Sequence, residues 1–192
     1  MKNFLPMSFL LVLFFPIGQA LAGDGFIEGF TGAFAQENWT IELPDPTYGG
    51  EVSWDGTHTL IIEGPDGSSC SGGREVLASI AVPFGGRVAF DWEYTSTDVG
   101  TWDFFIVLID ADGQEHQIVY VDNADAPTSG SVNRYMGSGE TLVLTVGSVD
   151  CILGPGIATI SSFSFGTPPI PLAIWVLPAS LLMMAVAKIR FF

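Results

Sequence analysis

Residues 87–94 read Arg87-Val88-Ala89-Phe90-Asp91-Trp92-Glu93-Tyr94. On a strand, where side chains alternate between faces, Val88, Phe90, Trp92 and Tyr94 share one side and Ala89, Asp91 and Glu93 the other. One face is aromatic and the other acidic. Such a strand has a core beneath it and water above it, so it belongs to a sheet packed over a second layer.

The neighbouring segments extend the pattern. Residues 102–110 are apolar on both faces, with Phe104, Ile106 and Leu108 against Phe105, Val107 and Ile109, as in a central strand covered on both sides. Asp110-Ala111-Asp112-Gly113 signals a hairpin into 115–122, and Asp55-Gly56 joins 51–54 to 58–63 in the same way. Further candidate strands cover 26–30, 38–43, 75–82, 86–95, 130–135, 140–147 and 156–165, separated by glycine-rich turns and without amphipathic helical periodicity. The reading is all-β: a single jelly roll or β-sandwich spanning 23–167.

Charge separates this body from its flanks. The 192-residue chain carries a net charge of -15, with 21 acids, yet its mean hydropathy is +0.43. Every acid lies within 23–167, where the only cations are Arg74, Arg87 and Arg134; residues 1–22 and 168–192 hold Lys2, Lys188 and Arg190 and no acid. A body so acidic repels phosphate backbones, which excludes nucleic acid as a partner.

The flanks read as delivery signals. Lys2, an apolar run, and Ala20-Leu21-Ala22-Gly23 make a signal peptide cleaved after Ala22, leaving Gly23 as the mature N-terminus; an uncleaved anchor is the alternative. In the tail 168–192, residues 170–187 carry no charge and span roughly 27 Å as a helix, enough for the hydrocarbon core of a membrane. Lys188 and Arg190 follow as membrane-stop charges and hold that end on the cytoplasmic side, so the acidic body faces outward.

The tail resembles the PEP-CTERM sorting signals of the VPLPA variant. Ile170-Pro171-Leu172 matches the motif's first three positions; Ala173 replaces its second proline, and the usual arginine cluster is reduced to Lys188 and Arg190. The resemblance implies an exosortase-like protease that removes the span and hands the protein to the cell surface or extracellular matrix. A permanent single-span anchor is the alternative. The body resembles the CUB-like jelly-roll ectodomains that precede such tails, on Phe30-Thr31-Gly32-Ala33-Phe34, Asn38-Trp39-Thr40, residues 88–94, Ser129-Gly130-Ser131-Val132, Gly137-Ser138-Gly139 with Glu140-Thr141-Leu142, and the run 158–165. These are fold positions, and they imply architecture rather than a ligand.

Cys70 and Cys151 are the only cysteines and lie in loops of an exported chain, so they are expected to pair. No catalytic motif is present: there is no nucleophile elbow, zinc-protease helix or phosphate loop, and His58 and His116 read as polar residues opening strands. No cofactor is implied. Calcium is the metal an acidic secreted sandwich would take, and Asp110, Asp112 and Glu115, or Asp122, Asn123 and Asp125, supply oxygen ligands in short stretches. Asp91 and Glu93 sit on one strand face at a spacing of about 7 Å, which an inverting glycosidase also uses. Sugar binding needs exposed aromatic rings, and alternation leaves Tyr48 and Trp54 free for it unless they cap the ends of the sandwich. Three functions emerge: a non-enzymatic surface or matrix protein that binds polysaccharide, a secreted polymer hydrolase, and an anchored structural protein without a ligand.

Overall fold

A computed structural model describes residues 25–98 and 102–166. The signal peptide with its cleavage residues Ala20, Ala22 and Gly23 lies outside the described residues, as do the motif Ile170 to Ala173 and the charges Lys188 and Arg190. Among the described residues no helix is long and apolar enough to cross a membrane.

Among the described residues eleven strands form: β1 (Ile27–Glu28), β2 (Thr40–Glu42), β3 (Glu51–Asp55), β4 (Thr59–Glu63), β5 (Arg74–Ala81), β6 (Gly86–Ser96), β7 (Asp103–Ala111), β8 (Gln114–Asp122), β9 (Thr128–Met136), β10 (Thr141–Ser148) and β11 (Gly156–Gly166). They build two antiparallel sheets, β3-β4-β11-β6-β9 with β1 added on β11, and β2-β5-β10-β7-β8. Each strand from β4 to β11 pairs with its counterpart across the β7–β8 hairpin: β4 with β11, β5 with β10, β6 with β9. A long hairpin rolled up in this way is a jelly roll, as the turn spacing predicts.

Alternation on β6 holds: Val88, Phe90, Trp92 and Tyr94 are buried and Asp91 and Glu93 exposed. The β7 expectation is half right. Phe105, Val107 and Ile109 are buried, but Phe104, Ile106 and Leu108 face outward and remain partly exposed, with Tyr120 alongside Phe104 at 6.4 Å between ring centres. Neighbouring outward side chains shield this surface without a third layer, so an apolar face does not mean a covered one.

The core centres on Phe163, whose ring meets Phe30, Phe34, Trp39 and Phe90 at centroid distances of 4.9, 5.2, 6.3 and 6.3 Å. Two short 3-10 turns, Gly32–Phe34 and Gln36–Asn38, deliver Phe34 and Trp39 into this cluster. At one pole Cys70 and Cys151 form the expected disulfide, closing a sequence separation of 81 residues. At the other pole the described chain begins and ends together: Ile27 pairs with Phe165, and Gly166, at φ 113°, packs so closely on the Gly25 carbonyl that a side chain there would collide with it.

Candidate functional site

The outer face of the β3-β4-β11-β6-β9 sheet carries a polar trough, and a defect in β11 makes it. Ser161 lies opposite Asp91 and Ser164 opposite Ala89, so β11 has two residues, Ser162 and Phe163, against the single Phe90. Ser162 absorbs the extra position at φ 54°, in left-handed conformation. The bulge keeps Phe163 in the core while Ser161, Ser162 and Ser164 all line the outer surface. Because this backbone suits glycine, Ser162→Gly is expected to be neutral or to stabilise slightly, whereas Ser162→Val should cost about 1–2 kcal/mol, read by denaturant unfolding.

β1 and β4 share one edge of β11, β4 pairing with residues 157–160 and β1 with 164–165. The gap between them is a depression of about 500 Å³ bordered by Phe26, Glu28, His58, Ser161 and Ser162. Beyond Ser161 a second depression, about 420 Å³, is lined by Asp91, Glu93, Ser129, Ser131 and Thr159. A third, about 300 Å³, runs past Ala89, Asp91, Ser131, Asn133 and Ser162. Shared walls make one open trough across β1, β11, β6 and β9, roughly perpendicular to the strands.

Its chemistry is hydroxyl and carboxylate. Serine hydroxyls donate and accept, and ionised carboxylates accept and repel anions. Asp91, Glu93 and Glu28 line these three depressions and no lysine or arginine does, while Arg134 borders a smaller one adjoining them at Ser131 and Asn133. Arg87, on the same face, is engaged by Asn133, to whose Oδ1 its Nη1 donates at 2.6 Å. One exposed aromatic ring borders the trough: Phe26, 43% exposed, at the β1 end. Tyr135, 67% exposed, lies further along β9 opposite Arg87.

No protein-family model matches the chain, and no curated protein matches it. Solved structures do. A family 61 carbohydrate-binding module in complex with β-1,4-galactotriose aligns at 16% identity and TM-score 0.35, over 73% of this chain and 94% of that one. A family 4 carbohydrate-binding module aligns at 10% identity and TM-score 0.38, over 69% and 96%. The cleaved adhesin domain K2 of Lys-gingipain aligns at 10% identity and TM-score 0.40, over 68% and 89%. At such values the ligands named for those proteins stay with those proteins.

The structure redistributes the residues expected to act. Asp91 and Glu93 do share an outward face and line the trough. His58, read as a bland strand opener, borders it as well, while His116 is exposed on β8 opposite Ile109. Tyr48 and Trp54 do not serve as free sugar platforms. The Arg74 guanidinium covers the Tyr48 ring at 4.6 Å, and Trp54 packs against the core from β3. The exposed rings among the described residues are Phe26, Trp102, Tyr120 and Tyr135, of which Phe26 borders the trough.

The first calcium stretch is the β7–β8 hairpin itself. Asp110 and Glu115 pair across the β7–β8 hairpin, and Asp112 occupies its turn at φ 54°. These three carboxylates do not converge; among the described residues the one converging group of acids is elsewhere. In the second stretch the Asp122 carboxylate accepts the Ala124 N–H at 3.0 Å and the Asp125 N–H bonds back to the Asp122 carbonyl, so Asp122 caps a local turn, while the Asn123 side chain is buried.

Proposed function

We propose that the jelly roll binds a neutral polysaccharide in the trough of its outer sheet, as a non-enzymatic protein of the cell surface or matrix. The observation that carries this reading is the continuous groove of serines and carboxylates with the exposed Phe26 ring at its β1 end. A glycan presents hydroxyls along its length and flat apolar ring faces, and this surface offers partners to both. The acidic lining and the net charge of -15 disfavour anionic polymers.

Export and delivery belong to the same proposal. A cleaved signal peptide, a membrane stage at 170–187 and removal of the tail by an exosortase-like protease would place the protein outside the cell. Intact-mass measurement of the protein recovered from its native envelope tests this, with the expected mass beginning at Gly23 and lacking the apolar tail. The full-length mass would count against processing at both ends.

Hydrolysis is the second reading, favoured by Asp91 and Glu93 both lining the groove. Geometry weighs against it. Glycosidase carboxylates flank the scissile bond, whereas these two project side by side from one strand into an open trough, on the same side of any bound sugar. Affinity electrophoresis against neutral polysaccharides should show Asp91→Asn with Glu93→Gln lowering retention about tenfold, the loss of one charge-assisted hydrogen bond or more. Phe26→Ala should weaken it too, with the melting temperature unchanged in both. Release of reducing ends by the wild type, abolished in the double variant, would establish the hydrolase instead.

A further inference from the structure

Opposite the pole where the described chain begins and ends, β6 finishes, β7 starts and β10 finishes side by side: Gly156 pairs with Ser96, and Ser148 with Asp103. Three carboxylates from these connections converge there. Oxygens of Asp98, Asp103 and Asp150 lie within 4.8 Å of one another. Asp103 has no exposed surface and Asp98 is 8% exposed, so water does little to screen their repulsion.

The surrounding hydroxyls brace the group without neutralising it. Ser96 donates to Asp103 Oδ2 at 2.8 Å and accepts the Asp98 N–H at 3.1 Å. Ser148 donates to Asp150 Oδ1 at 3.4 Å and accepts the Cys151 N–H at 2.9 Å. The other oxygen of Asp103 is buried with no hydrogen-bond partner, and so is the hydroxyl of the fully buried Tyr94. A buried carboxylate oxygen such as this one on Asp103 is stabilised by a donor or a cation. Burial raises the Asp103 carboxyl, and the negative charges of Asp98 and Asp150 add to the shift. Burial likewise raises the Tyr94 phenol, with Asp103, Asp122 and Asp98 contributing. Anions face anions here.

We propose that Asp98, Asp103 and Asp150 bind one calcium ion that ties the β6–β7 connection to the segment following β10. The donor set is all oxygen, which suits a hard cation and not zinc. Oxygens that all lie within 4.8 Å of one another can reach one calcium ion at bonds of about 2.4 Å, and calcium accepts the irregular geometry of such a set more readily than magnesium does. The ion and the disulfide act on the same loop, since Asp150 precedes Cys151.

The test uses the full-length chain in detergent, stripped with chelator and titrated with calcium chloride, with magnesium chloride in parallel. Calorimetry is expected to give one equivalent of calcium, and the melting temperature to rise by about 5–10 °C at a hundredfold excess over Kd. Asp103→Asn and Asp150→Asn should each weaken calcium at least about tenfold while still melting cooperatively in chelator. Asp112→Asn, at the β7–β8 turn, should bind as the wild type does. Should Asp103→Asn fail to fold, the half-buried Asp150 carries the test. A cooperatively folded wild type that takes up no calcium overturns the proposal, as do folded asparagine variants that bind it undiminished.

Discussion

Phe163→Ala is expected to destabilise the protein by about 3–5 kcal/mol, lowering its melting temperature by roughly 10 °C. The ring is 1% exposed and contacts four other aromatic rings drawn from two separate parts of the chain. Those neighbours cannot easily close over the space. Phe30, Phe34 and Trp39 arrive on short turns held by their own hydrogen bonds, such as Trp39 Nε1 donating to the Phe34 carbonyl at 3.1 Å, and Phe90 is fixed within β6. Phe163→Leu retains most of the volume and should cost about 1–2 kcal/mol. Equilibrium urea unfolding measures both. A loss below about 1 kcal/mol for the alanine variant would mean that the cluster repacks freely and that the β11 bulge does not fix its centre.

Removing the disulfide should have an effect of similar size. Replacing Cys70 and Cys151 together by serine frees a loop of 81 residues, which in the chain-entropy account costs roughly 4 kcal/mol and about 10 °C in melting temperature. A second consequence is local. The Cys70 N–H donates to the Asp150 carbonyl at 2.9 Å, so loosening this loop also loosens one of the three converging carboxylates. Calcium-induced stabilisation should therefore shrink in the double-serine protein, whereas Phe163→Ala, at the aromatic centre, should leave it intact. Thermal melts of each variant with chelator and with calcium separate the two effects.

The framework was readable from local pattern because each strand announces itself between turns. All the segments read as strands formed, with ends shifted by a few residues, since glycine and Asp-Gly turns punctuate them and aromatic alternation on β6 sets the inward face. The trough was not readable in that way. Strict alternation from Ile160 onward would turn Phe163 and Phe165 to the solvent; only the left-handed Ser162 restores them to the core and gathers the serines outside. The shared edge of β11, which opens the depression beside His58, is a property of sheet order and has no local signature. The same holds for Asp98, Asp103 and Asp150. Cross-strand register brings them together, while the denser acidic stretches that attract attention in the sequence are turns. On β7 the pattern misled in the opposite sense, because half-exposed Phe104, Ile106 and Leu108 resemble buried ones in composition.

The meeting of Gly25 and Gly166 at one pole sets how the body would stand on an envelope. With the proposed tether beyond Gly166, that pole would sit nearest the bilayer, and the 11 residues of β11 would carry the aspartate pole outward by roughly 35 Å. Strands then rise like posts from the surface and the trough crosses them as a notch, so a polymer lodged in it runs alongside the cell instead of away from it. Rows of such molecules would lash a fibre down along its length, each grip weak, the array firm.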